Sequence, residues 1–119
     1  MLRVSDTCLF CRIVAKEIPA TVVHETGTTL AFRDIGPKAP VHVLVIPKEH
    51  HANVGELAAA SPALAGELLA AAAAVARAEG LTDGYRVIFN TGPYAGQEVE
   101  HVHAHVVGGA PLGPMLAGI

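Results

Sequence analysis

Apolar residues recur along the chain with two different periods. In His101-Val102-His103-Ala104-His105-Val106-Val107-Gly108-Gly109, histidines alternate with small apolar residues. Successive side chains of an extended strand point to opposite faces. The alternation predicts a strand with His101, His103 and His105 on one face and Val102, Ala104 and Val106 on the other. Val41 to Ile46 is apolar except for His42, as in a strand buried on both faces, and Pro47 terminates it. Thr21 to Glu25 and Thr28 to Arg33 read as a hairpin turned at Thr26-Gly27. Tyr85 to Phe89 reads as a fourth strand after the turn Thr82-Asp83-Gly84.

The helical period appears at Leu64, Leu68, Ala71 or Ala72, and Val75. Ser61-Pro62 is a start signal and Gly80 a stop, which predicts a helix running to about Glu79. A shorter helix is predicted from Leu9 to about Lys16, capped by Asp6 or Thr7, facing Ile13 and Val14 inward and ended by Ile18-Pro19. A meander of about five strands, with one long helix between the third and fourth and one short N-terminal helix, predicts an α+β fold with an antiparallel sheet.

Composition narrows the function. The 119 residues suit one domain, with an N-terminal helix region over 1–20 and a tail over 110–119. A net charge of −3 and the lack of a Lys/Arg cluster argue against nucleic acid as a partner. The window Leu57 to Val75 comes nearest to a membrane span, but Ser61, Pro62, Gly66 and Glu67 interrupt it, so no membrane is expected. The start of the chain lacks a signal-peptide pattern, and the expected compartment is cytoplasmic. The two cysteines, Cys8 and Cys11, are spaced C-x-x-C, a metal half-site or a redox pair. No strand precedes them, which disfavours a thioredoxin-like unit and leaves zinc, given two further ligands.

Three imidazoles on one face offer a metal site, a nucleophile with helpers, or a pH-sensitive patch. His42 adds a fourth, and the loop Lys48-Glu49-His50-His51 two more. In the loop before the histidines, Gly96 lets backbone N–H groups approach an anion. On spacing alone, Asp34 and Asn90 read as turn caps.

Taken together, these pieces resemble the histidine-triad (HIT) superfamily, and within it the histidine-triad nucleotide-binding (Hint) branch. His101-x-His103-x-His105 matches the signature. Cys8-Leu9-Phe10-Cys11, Glu17-Ile18-Pro19-Ala20, Asp34-Ile35, His42, Val45-Ile46-Pro47-Lys48-x-His50, Gly84-Tyr85-Arg86, Asn90-x-Gly92, Ala95-Gly96-Gln97-Glu98 and Gly108-Gly109-x-Pro111-Leu112-Gly113-Pro114-Met115 follow in the expected order. The resemblance covers essentially the whole chain. It implies a HIT-like fold and a homodimer that cleaves nucleoside-phosphate-X substrates, typically AMP or GMP conjugates of amines, through a nucleotidyl-histidine intermediate.

By the same resemblance His103 is the nucleophile, His105 donates to a phosphate oxygen, and His42 supports them. Asp34 would hold the ribose, Ile35 the base, and Asn90 the ribose-phosphate junction. Gly96, Gln97, Glu98 and Val99 would surround the phosphate, with the backbone N–H of Glu98 serving where many relatives carry Ser or Thr. Zinc-bearing relatives imply a structural site of Cys8, Cys11, His50 and His101, with His51 the rival for His50. No organic cofactor is implied. A diadenosine-polyphosphate hydrolase of the same superfamily and a regulatory nucleotide-binding protein with little turnover are the alternatives.

Overall fold

In the computed structural model, residues 7–116 are described. The elements run α1 (Leu9–Val14), β1 (Val22–Glu25), β2 (Thr29–Arg33), β3 (Val41–Pro47), α2 (Val54–Ala60), α3 (Pro62–Ala78), β4 (Tyr85–Ile88) and β5 (Ala104–Gly108). The five strands form one antiparallel sheet, as expected, but in the order β1-β2-β3-β5-β4. The simple meander is therefore corrected, because β5 inserts between β3 and β4. Burial accounts for the exchange. Four of the five β5 residues are buried, whereas β4 is exposed or half-buried throughout and takes the edge.

Strand alternation divides the interior into two cores. Ala31, Val43, Val45, Ala104 and Val106 face one side, where they pack with Leu57, Leu64, Leu68, Ala72 and Val75 of α2 and α3. Leu30, Phe32, Leu44 and Ile46 face the other, against Phe10 and Ile13 of α1. His42 shares the α1 side with Leu44, two residues on. The helix stripe expected at Leu64, Leu68, Ala71, Ala72 and Val75 is buried throughout.

Several boundaries differ from expectation. The histidine stretch is strand only from Ala104, so His101, in a bend, and His103 stand in the approach to β5. Helix α2 was not anticipated. Its signal is a capping box: Asn53 Oδ1 accepts from Glu56 N at 2.9 Å, and Asn53 Nδ2 donates to Glu56 Oε2 at 3.0 Å. Cys8, not Thr7, caps α1, its Sγ accepting from Cys11 N at 3.3 Å; Asp6 lies outside the described residues. Helix α1 stops at Val14 rather than Lys16, because Lys16 takes φ 65° and Glu17 N closes back onto Arg12 O at 2.9 Å.

Gly108 ends β5 where space is short. A Cβ there would meet Leu81 Cδ1 at 3.1 Å and the Gly84 carbonyl at 3.2 Å. Leu68, 1% exposed, anchors α3 against the sheet. Leu68→Ala is expected to lower unfolding stability by about 2–5 kcal/mol, read from urea denaturation, through lost burial and the cavity left behind.

Candidate functional site

The pairing of β5 with β3 converges the histidines. Leu44 pairs with His105 and His42 with Val107, so His42 and His105 stand diagonally across adjacent strands on the α1 side. His42 Nε2 lies 2.9 Å from His105 Nδ1, and the rings of His103 and His105 are 4.9 Å apart. All three line a pocket of about 930 Å³.

Main-chain groups settle which nitrogen of each ring carries the proton. The carbonyl of His101 can only accept, so His103 Nδ1 donates to it at 2.8 Å, and in the neutral ring the lone pair is then on Nε2. The amide of Lys38 can only donate, so His42 Nδ1 accepts from it at 3.1 Å and His42 Nε2 carries the proton. That proton is given to His105 Nδ1, which leaves His105 protonated on Nε2. Burial holds His42 below its ordinary pKa and pushes His105 down to about 4, with His103 and His42 adding to the shift and Asp34 opposing it for both rings. Near neutral pH these two rings are uncharged, and the Lys38 amide, His42 and His105 form a relay ending in one N–H donor.

The same assignment decides what Asp34 does. Donor atoms of Asp34, His42 and His105 lie within 4.8 Å of one another, close enough for a metal. A ligating nitrogen needs a free lone pair, and His42 Nε2 spends its own on a proton. The side-chain hydrogen bond is therefore the one between His42 and His105, and Asp34 Oδ2 stands 3.5 Å from His42 Nε2 as a neighbouring negative charge. Asp34 also caps its turn, Oδ1 accepting from Gly36 N at 2.7 Å.

A second cluster has the opposite character. Cys8, Cys11, His50 and His101 bring their donor atoms within 4.8 Å of one another. Cys8 Sγ is 3.3 Å and Cys11 Sγ 3.5 Å from His101 Nδ1; Cys11 Sγ is 3.3 Å and His101 Nδ1 3.2 Å from His50 Nδ1. A tetrahedral zinc site with bonds of about 2.3 Å to sulfur and 2.0–2.1 Å to nitrogen has N···S edges near ~3.6 Å and an N···N edge near ~3.3 Å. The set thus has the donor chemistry and the spacing of closed zinc coordination. His101 Nε2 donates to the Pro47 carbonyl at 2.8 Å, which turns its Nδ1 lone pair toward the other three donors. Burial lowers the His101 pKa to about 4, keeping that lone pair free. His51 is not in the cluster: it is buried, with Nε2 donating to Glu49 Oε1 at 2.6 Å.

The remaining expected residues divide. Asn90, Gly96, Glu98 and Val99 line the pocket, as does Ile35, wholly exposed at its mouth. Gly96 takes φ 75°, which a side chain would strain. Gln97 does not line the pocket. Its Nε2 donates to the carbonyls of Ala52 (2.7 Å) and Val99 (3.0 Å), and its Oε1 accepts from Gly92 N (3.0 Å), so it braces the loop that presents its neighbours.

Sequence reasoning gave no site role to Phe10, Lys38, Arg86 or Leu112, all of which line the pocket. Arg86 donates to the carbonyls of Gly113 and Pro114 and so fastens the tail beside Leu112. Its place in Gly84-Tyr85-Arg86 was the available signal. Phe10 had one too, lying between two ligands.

The HIT domain matches residues 15–112. A purine nucleoside phosphoramidase of Escherichia coli K12 is 43% identical over 114 residues, covering 95% of this chain and 96% of that protein. A 14 kDa zinc-binding protein of Zea mays is 50% identical over 107 residues, covering 87% of this chain and 83% of that one. A HIT family hydrolase from Clostridium thermocellum superposes with a TM-score of 0.89 at 43% identity, covering 94% and 98% of the two chains.

The lowered pKa of His105 sets a direction for stability. The unfolded ring titrates near 6.5 and the folded one near 4, so between those values the unfolded chain binds the proton that the folded chain refuses. This stabilising contribution is present above about pH 6.5 and is lost as the pH falls toward 4. Thermal unfolding followed from pH 7 to 4 is expected to decline less steeply for His105→Asn than for the unmodified chain.

Proposed function

The chain belongs to the HIT-domain family, and from that premise we propose that it is a nucleotidyl hydrolase acting on purine nucleoside phosphoramidates. The reading is carried by one observation: the His103 ring lines the pocket with Nδ1 committed to a carbonyl, which in the neutral ring leaves the lone pair on Nε2. A neutral imidazole so oriented is a nucleophile toward phosphorus. The phosphoramidase of Escherichia coli, at 43% identity over nearly its full length, supports the choice of substrate.

His103 Nε2 attacks phosphorus, the P–N bond breaks, and the amine leaves with the bonding pair and takes a proton from solvent at the pocket mouth. The Nε2–H of His105 donates to a non-bridging phosphoryl oxygen, where charge develops. Water then attacks the phosphorus of the nucleotidyl-histidine. The P–Nε2 bond breaks, the nucleoside monophosphate departs, and the water's proton is released. The Lys38–His42–His105 relay keeps the donor protonated on the correct nitrogen. Asp34 accepts the ribose hydroxyls, Ile35 covers the base, Asn90 stands at the ribose-phosphate junction, and the Gly96–Val99 loop lies along the phosphate, with Gln97 holding it in shape.

Cys8, Cys11, His50 and His101 would hold a structural zinc, and the zinc-binding name of the maize relative supports that choice. When bound, the metal supplies a tetrahedral cross-link with no open position for chemistry. His101 then serves the strand rather than the reaction. A second copy would pair through β4, whose exposed Tyr85, Val87 and Ile88 give it an apolar edge.

His103→Ala is expected to reduce hydrolysis of a tryptamine conjugate of AMP by at least ~10³-fold, with no acid-quenched nucleotidyl adduct; activity near the unmodified level would sink the mechanism. Diadenosine polyphosphate should turn over more slowly than the phosphoramidate. Elemental analysis of protein purified without chelators is expected to give one zinc per chain. Cys11→Ser should lose the metal and unfold at lower temperature.

A further inference from the structure

The segment Cys8-Leu9-Phe10-Cys11 faces two sites at once. Its ends are donors of the metal cluster, while the two residues between them line the substrate pocket. Phe10 is 4% exposed and makes T-shaped contacts with three rings. Its centroid is 5.2 Å from that of His103 at 90°, 5.9 Å from His101 at 71°, and 5.5 Å from Phe32 at 73°. One side of the nucleophilic ring is thus fixed by the His101 carbonyl and another by Phe10.

We propose that Phe10 is a positioning residue for the His103 ring, and that through it metal binding at the Cys8/Cys11/His50/His101 cluster and nucleotide binding in the pocket strengthen each other. The inference rests on the nucleotidyl-hydrolase and zinc readings given above. Helix α1 has six residues, too few to hold its own shape. Its position is set by the hydrophobic contacts of Phe10 and Ile13 and by the two cysteines. The cysteines are tied to His50, just after β3, and to His101, just before β5. Holding the four donors at coordination distance fixes the backbone on both sides of Phe10 and keeps its ring against His103. A nucleotide in the pocket meets the Leu9–Phe10 wall and His103 together, and so favours the same arrangement. Linkage then requires each ligand to raise the affinity for the other by one common factor.

The test uses the full chain, loaded with zinc. Zinc affinity is measured by competition with a chromophoric chelator, with and without saturating AMP. AMP affinity is measured by calorimetry on loaded and stripped protein. A common factor of about 5–10 is expected. In Phe10→Ala the factor should fall below about twofold while one zinc per chain stays bound. The His103 imidazole signals in a long-range ¹H–¹⁵N spectrum should move, and those of His42 should stay. If Phe10→Ala does not fold, Phe10→Leu keeps most of the volume and loses the aromatic contact, and its factor should also drop. A factor near one in the unmodified chain, or an unchanged factor in the variant that folds, overturns the proposal and leaves both underlying readings standing. A chain that takes up no zinc overturns the metal reading, and a zinc-loaded chain that binds no AMP overturns the nucleotide reading; either result removes the linkage with it.

Discussion

The carbonyl of His101 accepts the Nδ1 proton of His103, and the chemistry on the sheet depends on that bond. A histidine offers two nitrogens, and only main-chain groups, which cannot exchange donor for acceptor, select one without ambiguity. Three such groups act here: the His101 carbonyl on His103, the Lys38 amide on His42, and the Pro47 carbonyl on His101. Each leaves a different function at the other nitrogen: a lone pair facing the pocket, a proton passed to His105, and a lone pair facing two thiols. His101 and His103, equivalent in the sequence alternation, become unlike through backbone they do not choose.

This explains how much of the site was legible. The alternation of His101, His103 and His105 with Val102, Ala104 and Val106 fixes which face each residue shares, because period two is a property of extended backbone even outside a hydrogen-bonded ladder. The buried run Val41 to Ile46 identifies the strand, and the apolar stripe of α3 identifies its inward face. The order of the sheet was not legible, because pairing of β5 with β3 rather than β4 is decided by burial across the whole interior. Helix α2 was legible in principle through Asn53 and Glu56, the two residues of its capping box.

Candidate site residues separate along the same physical line. Asp34, Asn90 and Glu98 could be placed near a pocket through the resemblance, but their partners depend on loops from distant parts of the chain. Gln97 illustrates the difference: its carboxamide is occupied by Gly92, Ala52 and Val99, and no local pattern announces a bond to Ala52, 45 residues away. Phe10, Arg86 and Leu112 line the pocket through contacts between segments that sequence proximity does not relate.

Strand β5 lies at the meeting of the two cores, with valine and alanine toward α3 and histidine toward α1. Its two faces answer to separate demands. Substitutions at 103 and 105 act on the pocket face and leave the helix-packed face intact, while those at 104 and 106 do the reverse. The pocket face still bears on stability, because burying His105 lowers its pKa to about 4 and ties folding to pH, whereas the face toward α3 acts through packing alone.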